Sequence, residues 1–255
     1  VKSRQRVRKA ILIASFIVYP VTFFILSPDL LLFGASERVV AGDVIFFAGL
    51  FLLSIAFGRV FCGWICPAGS LQEICFAVND KPANRRLDKV KMIIFIPWLG
   101  FFAFLLVASG GPERIDLLYA KAFGVAVAGA VERAMYFMTV AIVLIVSWIG
   151  GKRGFCHALC WISPFMIIGK KARDLVGLPG LVLKADPSAC SSCGACTRAC
   201  PMSLDVAGLV GSGRIAEGEC VLCGSCADAC PKGAIRFGFG RDRSRSREAV
   251  ISARS

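Results

Sequence analysis

Cysteine is the residue whose spacing in this chain most clearly specifies chemistry. There are 13 cysteines among 255 residues, against one histidine, His157. Eight of them form two runs 30 residues apart: Cys190-x2-Cys193-x2-Cys196-x3-Cys200-Pro201 and Cys220-x2-Cys223-x2-Cys226-x3-Cys230-Pro231. A C-x2-C-x2-C run curls the backbone so that three thiolates converge on one iron–sulfur cubane, with nearby N–H groups pointing at its sulfurs. The fourth cysteine, followed by proline, is carried away and serves the other cluster. This assigns Cys190, Cys193, Cys196 and Cys230 to one [4Fe–4S] cluster, and Cys220, Cys223, Cys226 and Cys200 to a second. Gly194 and Gly224 permit close backbone approach. Zinc knuckles are the alternative, but zinc sites generally separate two C-x2-C pairs more widely and have no use for a duplicated Cys-Pro. Two clusters held close together form a relay, not a catalytic centre.

Four more cysteines lie in the hydrophobic half, in Phe61-Cys62-Gly63-Trp64-Ile65-Cys66-Pro67 and Phe155-Cys156-His157-Ala158-Leu159-Cys160-Trp161. Each pair follows a boundary containing glycine and a basic residue. The offset from Cys62 to Cys156 is 94 residues, so the chain reads as a tandem repeat of span, outer loop, span and Cys-x3-Cys. Both units start and end on one side, so an axis relating them runs along the membrane normal. Cysteines four apart on a helix share a face. Each pair supplies two ligands, and together Cys62, Cys66, Cys156 and Cys160 supply the four of a shared third [4Fe–4S] cluster. Buried structural cysteines and a redox-active disulfide remain as alternatives for these pairs. Cys75 has no counterpart in the second repeat and is expected to be structural. His157 is a candidate to tune or ligate the third cluster, or to protonate a reduced quinone, with a buried structural role as the alternative.

The elements that must position these cysteines follow from hydropathy. Mean hydropathy is +0.70 and 56% of residues are hydrophobic, which is too high for an ordinary soluble domain. Four apolar stretches approach the roughly 20 residues a spanning helix needs: 10–28, 44–58, 92–112 and 134–151. The second is expected to begin upstream of Asp43 and to end with Arg59 snorkelling. The first is not expected to be a cleaved signal, since Pro20 and Pro28 interrupt it. Residues 122–132 are too short to span and are expected as an amphipathic or re-entrant helix on the outer face. Composition shifts near Asp186, so the expected organisation is a four-helix membrane domain over 1–184, an α+β ferredoxin-type domain over 185–240, and a basic, disordered tail over 241–255.

Charge sets orientation and narrows the partners. Residues 1–184 hold 21 Lys/Arg against 10 Asp/Glu, whereas 185–240 hold 4 against 5. With four spans, 17 basic residues fall on the side that holds both termini and only four on the other. This places both termini in the cytoplasm of a multi-pass protein of the prokaryotic inner membrane. The net charge of +13 therefore suits anionic lipid headgroups and topology signals, and no nucleic-acid partner is expected.

The two four-cysteine runs resemble the two-cluster bacterial ferredoxins, a likeness covering about residues 186–238 that implies two ββα-like halves related by a pseudo-two-fold axis. With FCGWICPAG and FCHALCWISP added, most of the chain resembles the membrane-bound polyferredoxins, such as the membrane ferredoxin subunit accompanying periplasmic nitrate reductases. Related architecture occurs in the nitrous-oxide reductase accessory protein and in a copper-oxidase maturation factor. The second motif departs from the usual Cys-Pro, with Trp161 where Pro67 stands in the first and the proline moved to Pro164.

One histidine excludes a bis-histidine haem, and c-type haem, P-loop and Rossmann motifs are absent. No residue set suggests bond-making on a soluble substrate. The expected function is electron transfer between a cytoplasmic redox partner and a membrane quinone or partner oxidoreductase subunit. An accessory reductase for copper handling or enzyme maturation, and a redox-sensing membrane regulator, are the alternatives.

Overall fold

Proline and glycine punctuate the helices that carry the apolar stretches. In the computed structural model, which describes residues 3–117 and 129–240, the first stretch is divided. A helix over Ser3–Ile17 is followed by a helical turn, Tyr19–Thr22, and a 3-10 turn, Phe24–Leu26. Pro20 lacks the N–H that an unbroken ladder would need, so it sits at the start of a new turn instead. Gly42–Phe57 forms the second helix, 16 residues long with Asp43 in its first turn. Leu87–Ala108 and Ala130–Gly150, of 22 and 21 residues, are long and apolar enough to cross a membrane. The expected outer-face helix, apart from its last residues, and the basic tail lie outside the described residues.

Two compact units divide the chain. One holds residues 10–50 and 65–165. Here aromatic contacts tie the apolar segments together: Tyr19 and Phe23 meet Tyr136 with ring centroids 5.5 and 5.6 Å apart. Phe165 receives Phe47 at 5.0 Å and Phe95 at 4.9 Å. A parallel strand pair, Val39–Ala41 with Arg114–Asp116, forms in the register Val39↔Arg114.

The other unit holds residues 1–9, 51–64 and 166–255. Its sheet pairs Gly180–Ala185 antiparallel to Ile235–Gly240, with Gly180 opposite Gly240 and Ala185 opposite Ile235. Three short helices, Ala195–Arg198, Val206–Val210 and Ser225–Ala229, complete the cysteine-rich part. Leu183, Met202, Leu204, Val206 and Val221 form its core, each almost wholly buried.

Candidate metal centres

The two cysteine runs fold alike because their backbones turn left-handed at matching places. Ser192 and Leu222, each following its run's first cysteine by two, have φ of 53° and 51°. Gly194 and Gly224, two residues further on, have φ of 70° and 75° and open the short helices that carry Cys196 and Cys226. A leucine in this region costs about 1–2 kcal/mol, a cost retained where three thiols must turn inward. At 224 glycine is required twice over, since a Cβ there would stand 2.8 Å from the Phe237 ring.

The outcome is two cavities. Cys190, Cys193, Cys196 and Cys230 line one, and Cys200, Cys220, Cys223 and Cys226 line the other. Among the described residues no three Cys, His, Asp or Glu side chains close on one point as they would on a single ion. The thiols stand instead around a space, a donor set suited to a cluster of atoms. The two cavities differ in wetness. Cys193 is exposed, and the Ala195 N–H and Ser191 hydroxyl hold its thiol below the ordinary value. The four thiols of the second cavity are all buried, and burial pushes Cys220 up to about 12 and raises Cys226 as well. A cluster entering that cavity must displace protons from both.

Within the same unit, the first Cys-x3-Cys motif rests on the loop of the buried cavity. Cys62 is the third residue of a five-residue helix, Val60–Trp64. Trp64 Nε1 donates to the Leu222 carbonyl at 3.0 Å, and a Cβ at Gly63 would collide with the Val221 carbonyl. Arg59 pairs with Glu219 at 2.6 Å and is fully buried, so the expectation that it snorkels is corrected: an acidic partner inside the protein holds the charge that lipid headgroups were expected to hold. The N-terminal helix braces the same loop. Arg8 Nη1 donates to the Gly63 carbonyl at 3.0 Å, Gln5 Nε2 to the Cys223 carbonyl at 3.1 Å, and Arg4 pairs with Asp228 at 2.6 Å. Cys62 Sγ lies 3.5 Å from Met166 Sδ.

In the other unit the second motif repeats this local form with different neighbours. Cys156 is the third residue of a five-residue helix, Gly154–Ala158, entered through Arg153 at φ 48°. Arg153 is buried and pairs with Glu73 at 2.6 Å. Gln72 brackets Cys156: its Oε1 accepts from the Cys156 N–H at 3.1 Å and its Nε2 donates to Cys156 Sγ at 3.1 Å. His157, wholly buried, donates from Nδ1 to Asp88 Oδ1 at 2.6 Å, while its Nε2 has no hydrogen-bond partner among the described residues. Cys66 and Cys160 are buried in this unit as well.

The expectation that each Cys-x3-Cys pair shares one helix face is corrected. Both helices end between their cysteines: Cys66 is extended, with ψ 120°, ahead of Pro67, and Cys160 falls in the break before Ile162. Proline forces the break in the first motif by excluding the helical region for the residue before it. The second breaks without one, at Leu159 with φ −127°, and Pro164 enters the first turn of the next helix, Ile162–Val176. Cys75 donates to the Leu71 carbonyl at 3.4 Å on a 3-10 turn. Gln72, Met166, Asp88 and Glu219 were not among the sequence candidates. Extending the 94-residue offset would have found one pair, since 72 maps onto 166 and Arg59 onto Arg153.

Comparison with known proteins agrees with this chemistry. Residues 44–84 and again 133–179 match one family, the 4Fe-4S binding domain, and residues 189–235 match the 4Fe-4S dicluster domain. The methylamine utilization ferredoxin-type protein MauN of Methylorubrum extorquens is 29% identical over 65% of this chain and 56% of its own length. The regulatory protein NosR of Pseudomonas aeruginosa is 26% identical over 65% of this chain and 23% of its own. An uncharacterised protein of Methanocaldococcus jannaschii is 28% identical over 79% of this chain and 73% of its own. The chain thus spans less than a quarter of NosR and little more than half of MauN. No solved structure matches it. The cysteine pattern and the matched domains mark a protein with 4Fe-4S-binding domains. The chain is similar to ferredoxin-type proteins over the duplicated 4Fe-4S binding domain and the dicluster domain.

Proposed function

We propose that this chain is a membrane-bound relay passing electrons between a cytoplasmic redox partner and a membrane quinone or a partner oxidoreductase subunit. A bound [4Fe–4S] cluster supplies reversible one-electron transfer. Cys190, Cys193, Cys196 and Cys230 would hold the outer cluster, and Cys200, Cys220, Cys223 and Cys226 the inner one. The duplicated motif, matched twice by one family, supports a third cluster held by Cys62, Cys66, Cys156 and Cys160.

The observation that carries this reading is the seating of the Cys62 helix on the Cys220–Cys223 loop. Gly63 gives the backbones close approach, and Trp64 and Arg59 fix the register. Cys193, exposed to solvent, makes the outer cavity the natural port for a soluble partner.

Four spans in two parallel pseudo-repeats complete the proposal, in the inner membrane of a prokaryotic cell with both termini cytoplasmic. The domains would be 1–184 in lipid, 185–240 as the ferredoxin domain and 241–255 as a basic tail. Ile93, Ile96, Phe104 and Val107 on one long helix, and Trp148 and Ile149 on the other, are each more than 60% exposed, a surface suited to lipid. Iron analysis of the anaerobically purified chain tests the cluster number: about twelve irons support the reading and eight sink the third cluster. Rapid reoxidation of reduced protein by quinone analogues supports the relay, whereas reoxidation by Cu(II) alone overturns it in favour of metal handling.

A further inference from the structure

The residue six positions after the second cysteine of each motif touches a cysteine of the other motif. Gln72 follows Cys66 by six and Met166 follows Cys160 by six, so the 94-residue offset maps one onto the other. Gln72 is fully buried and bonds both the backbone N–H and the sulfur of Cys156. Met166 is fully buried and lies 3.5 Å from the sulfur of Cys62. The contacts are reciprocal in position but unlike in chemistry. One is an amide that donates a hydrogen bond to sulfur, and the other is a thioether with no proton to donate.

From this we infer that Gln72 and Met166 are the positioning residues that make the two halves of the third cluster electronically unequal, and that Gln72 sets its reduction potential. The inference rests on the proposed third cluster. A hydrogen bond to a ligand sulfur withdraws electron density from it and favours the reduced, more negative cluster, so it raises the potential. The bond from Gln72 acts in a dry place, where it is strong. The second bond, from the Cys156 N–H to Gln72 Oε1, holds the amide in the orientation that aims its N–H at the sulfur.

The chain therefore carries its own controls. Gln72→Met copies the first half-site onto the second and removes the donor. Gln72→Glu keeps the acceptor for the Cys156 N–H but loses the donor and adds negative charge. Met166→Gln brings a donor to Cys62. The experiment is an EPR-monitored redox titration of the membrane cluster in the full-length, anaerobically purified protein. Gln72→Met is expected to lower the midpoint potential, Gln72→Glu to lower it further, and Met166→Gln to raise it, while the two ferredoxin signals stay in place. Unmoved potentials with the third signal intact would overturn the assignment, as would shifts of one sign in all three variants. Should a Gln72 variant fail to assemble, Met166→Gln alone decides: an upward shift supports the inference, and no shift or a downward one refutes it. A wild-type protein with eight irons and no third signal would instead remove the parent reading, so the two failures are distinct.

Discussion

The two Cys-x3-Cys motifs are built alike and surrounded differently. Each has a buried arginine paired with a glutamate, then a five-residue helix with cysteine third, then a break before the second cysteine. The position after the first cysteine separates them. It is Gly63 in one motif, where the ferredoxin loop seats, and His157 in the other, where the imidazole bonds Asp88. A duplicated unit thus gained one half open to a partner surface and one half closed by its own side chains. Symmetry of ligands need not mean symmetry of surroundings: one motif carries the seat of the ferredoxin loop, and the other holds a buried imidazole–carboxylate pair.

The largest expected effect breaks the shared feature. Leaving one member of a buried ion pair uncompensated costs about 3–5 kcal/mol. Glu219→Ala strands the buried Arg59, and Glu73→Ala strands the buried Arg153. Both should destabilise strongly, but with different spectroscopic consequences. Glu219→Ala is expected to release the inner ferredoxin cluster on mild heating, as Glu219 adjoins Cys220. Glu73→Ala should leave both ferredoxin signals in place. Thermal bleaching followed by EPR checks this, and equal loss of the ferredoxin signals in the two variants would sink the comparison.

A smaller effect probes the position that differs. Gly63→Ala places a methyl against the Val221 carbonyl, with the Cys223 nitrogen 3.4 Å away. Both neighbours are backbone, so the loop must move, at about 1–3 kcal/mol. The expected readout is slower reoxidation of the ferredoxin clusters by a quinone analogue. His157→Ala, at the matching position, removes a buried hydrogen bond at about 1–3 kcal/mol and should leave that reoxidation rate unchanged. Rates that fall equally in the two variants would show that the motifs are not specialised.

How much of this was legible in sequence follows from what each feature depends on. Cysteine runs announce their ligand sets because spacing alone curls the chain, and Gly194 and Gly224 mark two of the left-handed turns. Leu222 does not, for no residue type signals a strained leucine held by its neighbours. The long helices Leu87–Ala108 and Ala130–Gly150 are visible as uninterrupted apolar runs, whereas the helix end inside each Cys-x3-Cys is invisible at Leu159, where no proline marks it. Arg59 misled because a basic residue ending an apolar run suits a headgroup as well as it suits a glutamate 160 residues away. Gln72 and Met166 were within reach of the repeat offset, but a glutamine and a methionine share no chemistry that would prompt the alignment.

The two ferredoxin cavities extend the comparison to metal loss. Cys193 is exposed and the four thiols of the other cavity are buried, so a hydrophilic chelator under mild oxidation should bleach the protein in two phases, with the outer cluster lost first. Cys193→Ser should abolish the fast phase and leave the slow one. Bleaching in a single phase would show that exposure does not separate the cavities.

The smallest effect isolates one hydrogen bond at the junction. Trp64→Phe removes the indole N–H that reaches the Leu222 carbonyl at 3.0 Å and keeps much of the apolar ring in place. Losing one such bond costs about 1 kcal/mol, too little to dislodge the loop while the Arg59–Glu219 pair and the Arg8 contact to Gly63 remain. Leu222 lies between Cys220 and Cys223, so the freed carbonyl loosens the stretch that presents two inner-cavity thiols. The expected outcome is a broadened EPR line for the inner cluster at unchanged iron content, with Ala158→Phe at the matching position of the other motif leaving that line as it was. A sharp, wild-type line in Trp64→Phe would mean that the seating of Gly63 alone fixes the register and the indole adds only packing.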